Sequence, residues 1–205
     1  GLQDNSSWIG DSAYPGGITN ARWNNIYGGD GFWVLPDSAD PRYVYAEYQG
    51  GNVAVFDRQT RQARDIQPKA GAGEKLRWNW NSPMHLSPNV KGTLYIGAQF
   101  LFRTRDRGQT WERISPDLST NDPVRQQQEL SGGITVDNSS AEMHTTIYSI
   151  SESPKDGNVI WVGTDDGNVQ VTRDGAKTWS NVARNIKGLG KDNWISWVEA
   201  SRHDA

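Results

Sequence analysis

The sequence TRDRGQTW, residues 104–111, recurs as TRDGAKTW, residues 172–179, with three of its eight positions changed. Both copies contain a Thr, an Asp, a Gly and a Thr-Trp pair, but the Gly of the second copy comes one position early and Ala176 takes its place. An Asp carboxylate can accept backbone N–H bonds in a tight turn, and Gly supplies a positive φ. The Trp is expected to pack against a neighbouring element. Each copy therefore predicts a turn that joins two strands.

Short strands surround these turns in a fixed order. The apolar stretches 44–47, 94–97 and 160–163 each follow a Ser/Pro turn and each precede a second apolar strand, at 53–58, 101–106 and 169–174. The repeating unit is a strand, a Ser/Pro turn, a strand, a Gly corner, a strand, a turn and a strand. Four antiparallel strands in about 45 to 50 residues are typical of a propeller blade. Since the stretch 123–130 reads as a loop or one short turn, the predicted fold class is all-β, a β-propeller.

The repeat also predicts the domain organisation. We expect a single partial propeller over 1–205, with three complete four-stranded blades at about 27–68, 78–117 and 143–186. Residues 1–26 and 194–205 are expected to supply strands of partial blades, and 119–142 an insertion loop. Closed propellers use about four to eight blades, so the sequence is expected to be part of a larger propeller.

The two turn sequences resemble the Asp-box, or bacterial neuraminidase repeat (BNR), of sialidases, two-propeller xyloglucanases and the sortilin ectodomain. The wider chain resembles the sortilin-like bacterial propellers of the "glycosyl hydrolase, BNR repeat" type, through GLQDN at 1–5, GGDGF at 28–32, NWNSP at 79–83 and ISPDL at 114–118. The resemblance implies an Asp-box propeller in which the boxes close third-to-fourth-strand turns. The residues given this structural role are Thr104, Asp106, Gly108, Thr110, Trp111, Thr172, Asp174, Gly175, Thr178 and Trp179.

Composition excludes several classes of function. The chain has 205 residues with 21 Lys and Arg, 24 Asp and Glu and no Cys. There is no basic stripe, so nucleic acid is not an expected partner. The absence of Cys excludes a thiolate metal site and a cysteine nucleophile. No apolar run reaches the roughly 18 residues of a membrane span, so this segment is not expected to insert into a membrane.

An enzymatic site is harder to assign from the residues. A glycosidase uses two carboxylates about 5–9.5 Å apart. Asp30, in the Gly-rich start of an inner strand, is the one catalytic candidate; the alternative is that it caps its own turn. A sialidase would also need clustered arginines, and the spacing of Arg22, Arg42 and Arg77 does not unite them. No catalytic pair is therefore predicted.

Metal and cofactor sites are not predicted either. His85, His144 and His203 are far apart in sequence and have no partner at ligand spacing. Asp-rich corners at Asp4 and at 165–166 offer an alternative, a Ca²⁺ site. We expect neither a metal nor a cofactor.

A binding surface remains. Trp78, Trp80 and Asn81 are predicted to lie on a short strand, where the Trp side chains either form a binding face or pack between blades. Trp194 and Trp197 repeat this pattern at the next inner strand. The sequence thus favours a non-catalytic interaction or scaffold module, exported to the periplasm or outside a bacterial cell. Its partner would be a protein, the remainder of its own propeller, a carbohydrate, or a larger membrane-associated assembly on which it is an accessory subunit. The alternative is a fragment of a sialidase-like or xyloglucanase-like glycoside hydrolase.

Overall fold

The structure, a computed structural model, describes residues 1–130, 141, 143–190 and 193–204. Within these residues fourteen strands form three four-stranded sheets and one two-stranded sheet, together with four short 3₁₀ turns. The strands are β1 Ser7–Gly10, β2 Trp23–Tyr27, β3 Gly31–Pro36, β4 Tyr43–Tyr48, β5 Asn52–Asp57, β6 Gln62–Asp65, β7 Met84–Leu86, β8 Leu94–Gly97, β9 Leu101–Thr104, β10 Glu112–Arg113, β11 Ile147–Glu152, β12 Ile160–Thr164, β13 Val169–Thr172 and β14 Ser180–Asn181. The 3₁₀ turns are Asn20–Arg22, Pro123–Gln126, Gln128–Leu130 and Ala183–Asn185.

Each four-stranded sheet is a meander of consecutive antiparallel strands. Sheet A consists of β3 to β6, sheet B of β7 to β10 and sheet C of β11 to β14, while β1 and β2 form the N-terminal sheet. The three apolar stretches form the second strand of each sheet in the same register. Val44 pairs with Phe56, Leu94 with Thr104 and Ile160 with Thr172. The predicted all-β class, built from four-stranded antiparallel units, is confirmed.

The sheets pack face to face, because alternate residues of a strand point to opposite sides. On β4, Tyr45 packs in one core cluster with Met84 of sheet B, whereas Val44 packs in another with Ile26 of the N-terminal sheet. On β8, Tyr95 shares a third cluster with residues of sheet C. Every pair of neighbouring sheets is therefore joined by its own apolar layer.

Glycine permits close packing against the second strands of sheets B and C. A Cβ added at Gly97 would lie 2.6 Å from Ile147, and one added at Gly163 would lie 2.5 Å from Ile195. These are equivalent positions near the end of the second strand. Sheet A has Glu47 there instead, fully buried, with its Oε1 accepting a hydrogen bond from the Ser82 backbone N–H at 3.3 Å.

Two segments differ from their predicted strands. Residues 78–81 are not in a strand, because Asn79 makes local bonds: its Oδ1 accepts from the Asn81 N–H at 3.1 Å and its carbonyl accepts from the Ser82 hydroxyl at 2.9 Å. Such bonds compete with a sheet ladder. Residues 194–204 also form no ladder, since the N–H groups of Val198 and Ala200 donate to serine hydroxyls of β11.

The predicted loop at 123–130 consists of two 3₁₀ turns, the first capped by the Asp122 carboxylate, which accepts from the Val124 N–H at 2.9 Å. Residues 131–140 and 142 of the predicted insertion 119–142 lie outside the described residues. The blade limits given above remain predictions. Within the part of the chain that the structure describes, no helix has the length and apolar character needed to cross a membrane.

Candidate functional site

A cavity of about 610 Å³ lies between the first strands of sheets A, B and C, which are β3, β7 and β11 and are called the inner strands, and the segment 194–204. Eight of its fourteen lining residues are apolar, and the polar ones are His85, Ser151, Glu152, Lys155, Glu199 and Arg202. A concave site lined mainly by apolar groups is the usual form of a ligand site. The residues that characterise it are Trp33, Met84, His85, Ile150, Glu152 and Trp197.

Two indoles form one side of this cavity. The rings of Trp33 and Trp197 are stacked, with centroids 6.3 Å apart and planes 12° from parallel. Trp197 is held in place by its neighbour Val198, whose N–H donates to the Ser149 hydroxyl at 2.8 Å. Despite the stacking, Trp197 keeps 63% of its surface exposed. It therefore offers a large, positioned apolar face to a binding partner.

The polar end of the cavity contains His85 and Glu152. The His85 Nε2 accepts a hydrogen bond from the Glu152 backbone N–H at 3.2 Å, so the proton of the neutral ring is on Nδ1. Burial lowers the pKa of His85, and the nearby Glu152 carboxylate opposes this only in part. Glu152 Oε1 accepts from the Ser87 hydroxyl at 2.8 Å and the Asn89 amide at 2.6 Å. These groups connect sheets B and C.

A second polar network lies where the inner strands begin. The fully buried Asp165 accepts hydrogen bonds from the Thr146 N–H at 2.9 Å, the Thr146 hydroxyl at 2.6 Å and the Asn79 amide at 3.1 Å. His144 Nδ1 lies 3.6 Å from the same carboxylate. Burial raises the pKa of Asp165, against the opposing effect of the Thr146 bonds. The carboxylate thus joins sheet C to the segment before sheet B.

The start of the predicted insertion is fixed to this network. Both the N–H and the hydroxyl of Thr120 donate to Asp166 Oδ2, at 2.7 and 2.6 Å. Arg77 forms an ion pair of 2.7 Å with Asp117 and donates to the Ser119 hydroxyl at 3.0 Å. Asp117 and Asp166 are therefore both occupied by bonds to other parts of the same chain.

The predicted catalytic candidate, Asp30, lies outside the cavity. Its Oδ1 accepts from the backbone N–H of Asp4 at 2.9 Å, so it binds the N-terminal segment and not its own turn. The structure does not bring together the three arginines considered for a sialidase. Arg22 lies over the Tyr14 ring, Arg42 pairs with Asp57 and Arg77 with Asp117.

The predicted binding face at 78–81 is divided between two environments. Trp78 is partly buried in the layer between sheets A and B, stacked 6.1 Å from Phe102 and against Gly51. Trp80 is half-buried, and its carbonyl accepts from the Gly50 N–H at 3.1 Å. Asn81 Oδ1 is buried without a hydrogen-bond partner among the described residues. A binding role for these residues remains a prediction.

The turn sequences 104–111 and 172–179 join β9 to β10 and β13 to β14, the third and fourth strands of sheets B and C. Asp106 accepts from the Thr104 hydroxyl at 2.8 Å and from the N–H and hydroxyl of Thr110 at 2.9 and 2.6 Å. Asp174 has equivalent bonds to Thr172 and Thr178. Burial alone would raise the pKa of Asp106, but these hydrogen bonds outweigh it and lower the pKa to about 2.

The Trp residues of these turns connect neighbouring sheets. The Trp111 indole N–H donates to the carbonyl of Ile66 at 2.6 Å, and the Trp179 indole N–H donates to the carbonyl of Ile114 at 3.2 Å. Ile66 and Ile114 occupy equivalent positions just after the outer strands of sheets A and B. Each turn is thus bonded to the sheet before it.

The three histidines lie in separate places in the described part of the chain. His85 lines the cavity, His144 faces Asp165, and His203 is exposed near the end of the chain. No group of three or more potential His or acidic ligands is found among the described residues. Asp4 and Asp166, considered for Ca²⁺, lie in separate segments of the chain.

Sequence reasoning missed the central cavity, although one signal for it was present. Trp33 and Trp197 stand at the same distance before the turns that start at Asp37 and Ser201. Alignment of the sequence on those turns places both indoles at equivalent positions, so both are expected to face the same cavity. His85 and Glu152 carry no comparable sequence signal, since their meeting depends on how sheets B and C stack.

Comparison with known proteins gives a fold likeness. No family model matches the chain, and no curated protein matches it by sequence. A GH74 enzyme from Niastella koreensis has a TM-score of 0.55 at 15% identity, over 99% of this chain and 33% of that one. An ancestral GH74 enzyme has a TM-score of 0.50 at 15% identity, over 81% of this chain and 20% of that one.

A third structure, a GH74 xyloglucanase from Xanthomonas campestris, has a TM-score of 0.45 at 15% identity over 75% of this chain and 22% of that one, which is too weak a likeness to support an inference. The chain spans about a third of the length of the Niastella enzyme. At this level of identity the comparison concerns the fold alone. The chain has an all-β fold similar to part of the GH74 enzymes.

Proposed function

We propose that this chain is a non-catalytic β-propeller module that binds a protein partner at the mouth of the central cavity. The observation that carries the proposal is Trp197, which is 63% exposed yet positioned by its stack on Trp33. Trp is among the residues most enriched in the energetic centres of protein interfaces. Trp194, 50% exposed and packed edge-on against Tyr148, is a second exposed indole of the same segment.

The state of the carboxylates supports a non-catalytic role. A glycosidase needs an accessible acid with a raised pKa and a second carboxylate across the scissile bond. Burial raises the pKa of Asp165, but that residue is only 1% exposed and is hydrogen-bonded to Thr146. Asp30, Asp117 and Asp166 each bind the chain's own groups. These four carboxylates form hydrogen bonds or ion pairs that connect segments of the chain.

Three kinds of partner fit exposed indoles: another protein, the rest of the same propeller, or a carbohydrate. We favour another protein of an exported assembly, in the periplasm or outside the cell, with this chain as an accessory or scaffold subunit. The sortilin-like, Asp-box assignment belongs to the same proposal, supported by the two equivalent turns at Asp106 and Asp174.

The test uses a partner first recovered with the wild-type chain and then purified. Binding measured by calorimetry should weaken at least tenfold for Trp197→Ala, while the matched variant Trp80→Ala should bind within twofold of wild type. Loss of binding in Trp80→Ala alone would place the interface at 78–81 and contradict the proposal.

A second candidate is a glycoside hydrolase fragment, favoured by the fold likeness to GH74 enzymes. In this function Asp30 would be the acidic group to test, together with a second carboxylate supplied from outside the described residues. Hydrolysis that depends on Asp30 would favour this candidate.

A further inference from the structure

Segment 194–204 takes the place of an inner strand beside sheet C. The Ile195 N–H donates to a carbonyl at the end of the second strand of sheet C, at 3.0 Å. The Ile147 N–H, at the start of β11, donates to the equivalent carbonyl after the second strand of sheet B, at 2.7 Å. Counted from these two isoleucines, residues 197–201 correspond to residues 149–153. The segment therefore matches β11, although no strand of the described chain is paired with it.

One backbone edge of this segment is free. The N–H groups of Val198 and Ala200 point to sheet C, where they donate to serine hydroxyls of β11. Successive backbone groups of an extended strand point to opposite sides, so the N–H groups of Trp197, Glu199 and Ser201 point away from sheet C. These three groups form no hydrogen bond within the part of the chain that the structure describes. An unpaired edge of this kind is a template for the addition of a strand.

An apolar groove of about 410 Å³ lies between the free edge and the outward face of sheet C. Part of this apolar surface is accessible, because Trp161 and Val198 are half-buried and Ile186 is 45% exposed. Five of the nine lining residues are apolar, and these are Trp161, Val169, Ile186, Val198 and Ala200.

The equivalent groove between sheets A and B is filled by a strand. Leu94 and Ile96 of β8 pack there in one core cluster with Tyr45 of sheet A. Tyr45 has the same place in its sheet as Trp161 has in sheet C, since each is opposite a valine of the third strand. The strand that fills the groove is paired with an inner strand, β7. A strand paired with residues 197–201 would reach the groove of sheet C in the same way.

The second strands of the three sheets show which sequence fits such a groove. Each has an aliphatic, an aromatic and an aliphatic residue in succession: VYA at 44–46, LYI at 94–96 and IWV at 160–162. The aliphatic residues face the preceding sheet, as Leu94 and Ile96 do, whereas the aromatic residue Tyr95 packs with residues of the following sheet. The groove beside sheet C therefore fits two aliphatic side chains that alternate with an aromatic one.

We propose that the protein partner adds an extended strand to the edge at 197–201. Its aliphatic–aromatic–aliphatic sequence would place two aliphatic side chains in the groove and the aromatic residue opposite Glu199, as Trp161 is opposite Ser151. In this mode of recognition the main-chain hydrogen bonds give affinity and the pockets for alternate side chains give specificity. The inference rests on the proposed function, because it describes how the partner would bind beside Trp197.

The test measures the binding of a fluorescent peptide to the 205-residue chain by anisotropy. The peptide KGTLYIGAQ copies residues 91–99 and contains the required pattern. We expect saturable binding of one peptide per chain. Replacement of its leucine and isoleucine by asparagine should weaken binding at least tenfold, because the groove would receive polar side chains.

A second peptide tests the backbone bonds. The Gly97 N–H donates to the Pro83 carbonyl just before β7, so the N–H of Tyr95, two residues earlier, faces the same inner strand. An N-methyl group on the tyrosine of the peptide removes this donor and should weaken binding at least tenfold. Equal binding of the N-methylated and unmodified peptides, or no saturable binding of either, would overturn the proposal.

A matched pair of variants tests the edge of the chain itself. Glu199→Pro removes a free N–H and leaves the bonds to sheet C in place, so it should weaken peptide binding at least tenfold. Glu199→Gln keeps the N–H and should bind within twofold of wild type. If Glu199→Pro fails to fold, shown by loss of its thermal transition, the N-methylated peptide decides the matter. A dimer of the chain alone that the peptide dissociates, seen by sedimentation, would identify a second copy as the occupant and overturn the proposal.

The purified partner separates this inference from the proposed function. Partner binding that is lost in Trp197→Ala but kept in Glu199→Pro would refute the added strand and leave the proposed function standing. Partner binding that is lost in Glu199→Pro but kept in Trp197→Ala would support the added strand and contradict the role proposed for Trp197.

Discussion

Arg107, in the turn after β9 of sheet B, forms an ion pair with Asp37, in the turn after β3 of sheet A, with Nε 2.7 Å from Oδ2. Asp37 has no exposed side-chain surface, whereas Arg107 is about one-third exposed. The bond joins the turn after β3 to the turn after β9. It is one of two charged links between these sheets among the bonds described, since the Arg64 guanidinium also donates to the Arg107 carbonyl at 2.7 Å.

We expect Arg107→Ala to destabilise the chain by about 2–3 kcal/mol, because it leaves a buried carboxylate without its charged partner. Chemical denaturation monitored by tryptophan fluorescence measures the change. Arg105→Ala, an exposed arginine two residues away, should change stability by less than about 0.5 kcal/mol. A double-mutant cycle with Asp37→Asn should give a coupling energy above 1 kcal/mol, since the two side chains are in direct contact. Additive effects would contradict the link.

Exchange of Gly and Ala at equivalent positions is expected to destabilise one turn and to leave the other nearly unchanged. Gly108 has φ +73°, and an added Cβ would lie 2.5 Å from Ile66. Gly108→Ala should therefore cost about 2 kcal/mol, from the left-handed backbone and the forced shift of Ile66. Ala176, at the equivalent position with φ 75°, already carries the backbone strain. Ala176→Gly should stay within about 1 kcal/mol of wild type, because relief of strain and added chain entropy nearly cancel. Equal losses in thermal melts would contradict this.

Glu47 predicts a loss of stability as the pH rises. Burial raises the pKa of this carboxyl well above 4.5, and the backbone N–H of Ser82 and others oppose the shift only in part. The folded chain therefore holds a proton that the unfolded chain releases, and its stability falls as the pH increases from about 4.5 to the folded-state pKa. Glu47→Gln should remove this dependence and be more stable than wild type at pH 7.

The matched variant Glu199→Gln replaces an exposed glutamate and should keep the wild-type pH profile. Both profiles are obtained from unfolding free energies between pH 4.5 and 8. A wild-type slope that survives in Glu47→Gln would show that another group causes it.

The turn aspartates predict the opposite dependence in acid. The pKa values of Asp106 and Asp174 are about 2, below the ordinary 3.8, because Thr hydroxyls and backbone N–H groups bind their charged forms. Their contribution is complete above about pH 4 and is lost as the pH falls towards 2. The double variant Asp106→Asn, Asp174→Asn should show a shallower loss of stability between pH 5 and 2. An unchanged slope would indicate that the turns form without their carboxylates.

Most of the fold could be predicted from sequence because its signals are local. The alternation in 44–47, 94–97 and 160–163 and the residues of each turn lie within single hairpins, and the side-chain hydrogen bonds of the turn aspartates involve residues two to four positions away. The segment 78–81 was wrongly expected to be a strand, because pattern alone does not show that Asn79 bonds to its own loop.

The sites were less predictable because they depend on how the sheets stack. Asp30 meets the Asp4 backbone across 26 residues of chain. The cavity depends on His85 of sheet B meeting the Glu152 backbone of sheet C across 67 residues of chain.

If this chain binds a partner and has no hydrolase activity, an assay of released reducing ends should show it. The purified 205-residue chain is incubated with xyloglucan, β-glucan and a sialylated oligosaccharide, next to Asp30→Asn and a heat-denatured sample. We predict no release above the denatured sample for any substrate. Release by the wild-type chain that is lost in Asp30→Asn would contradict the account and establish the chain as a glycoside hydrolase.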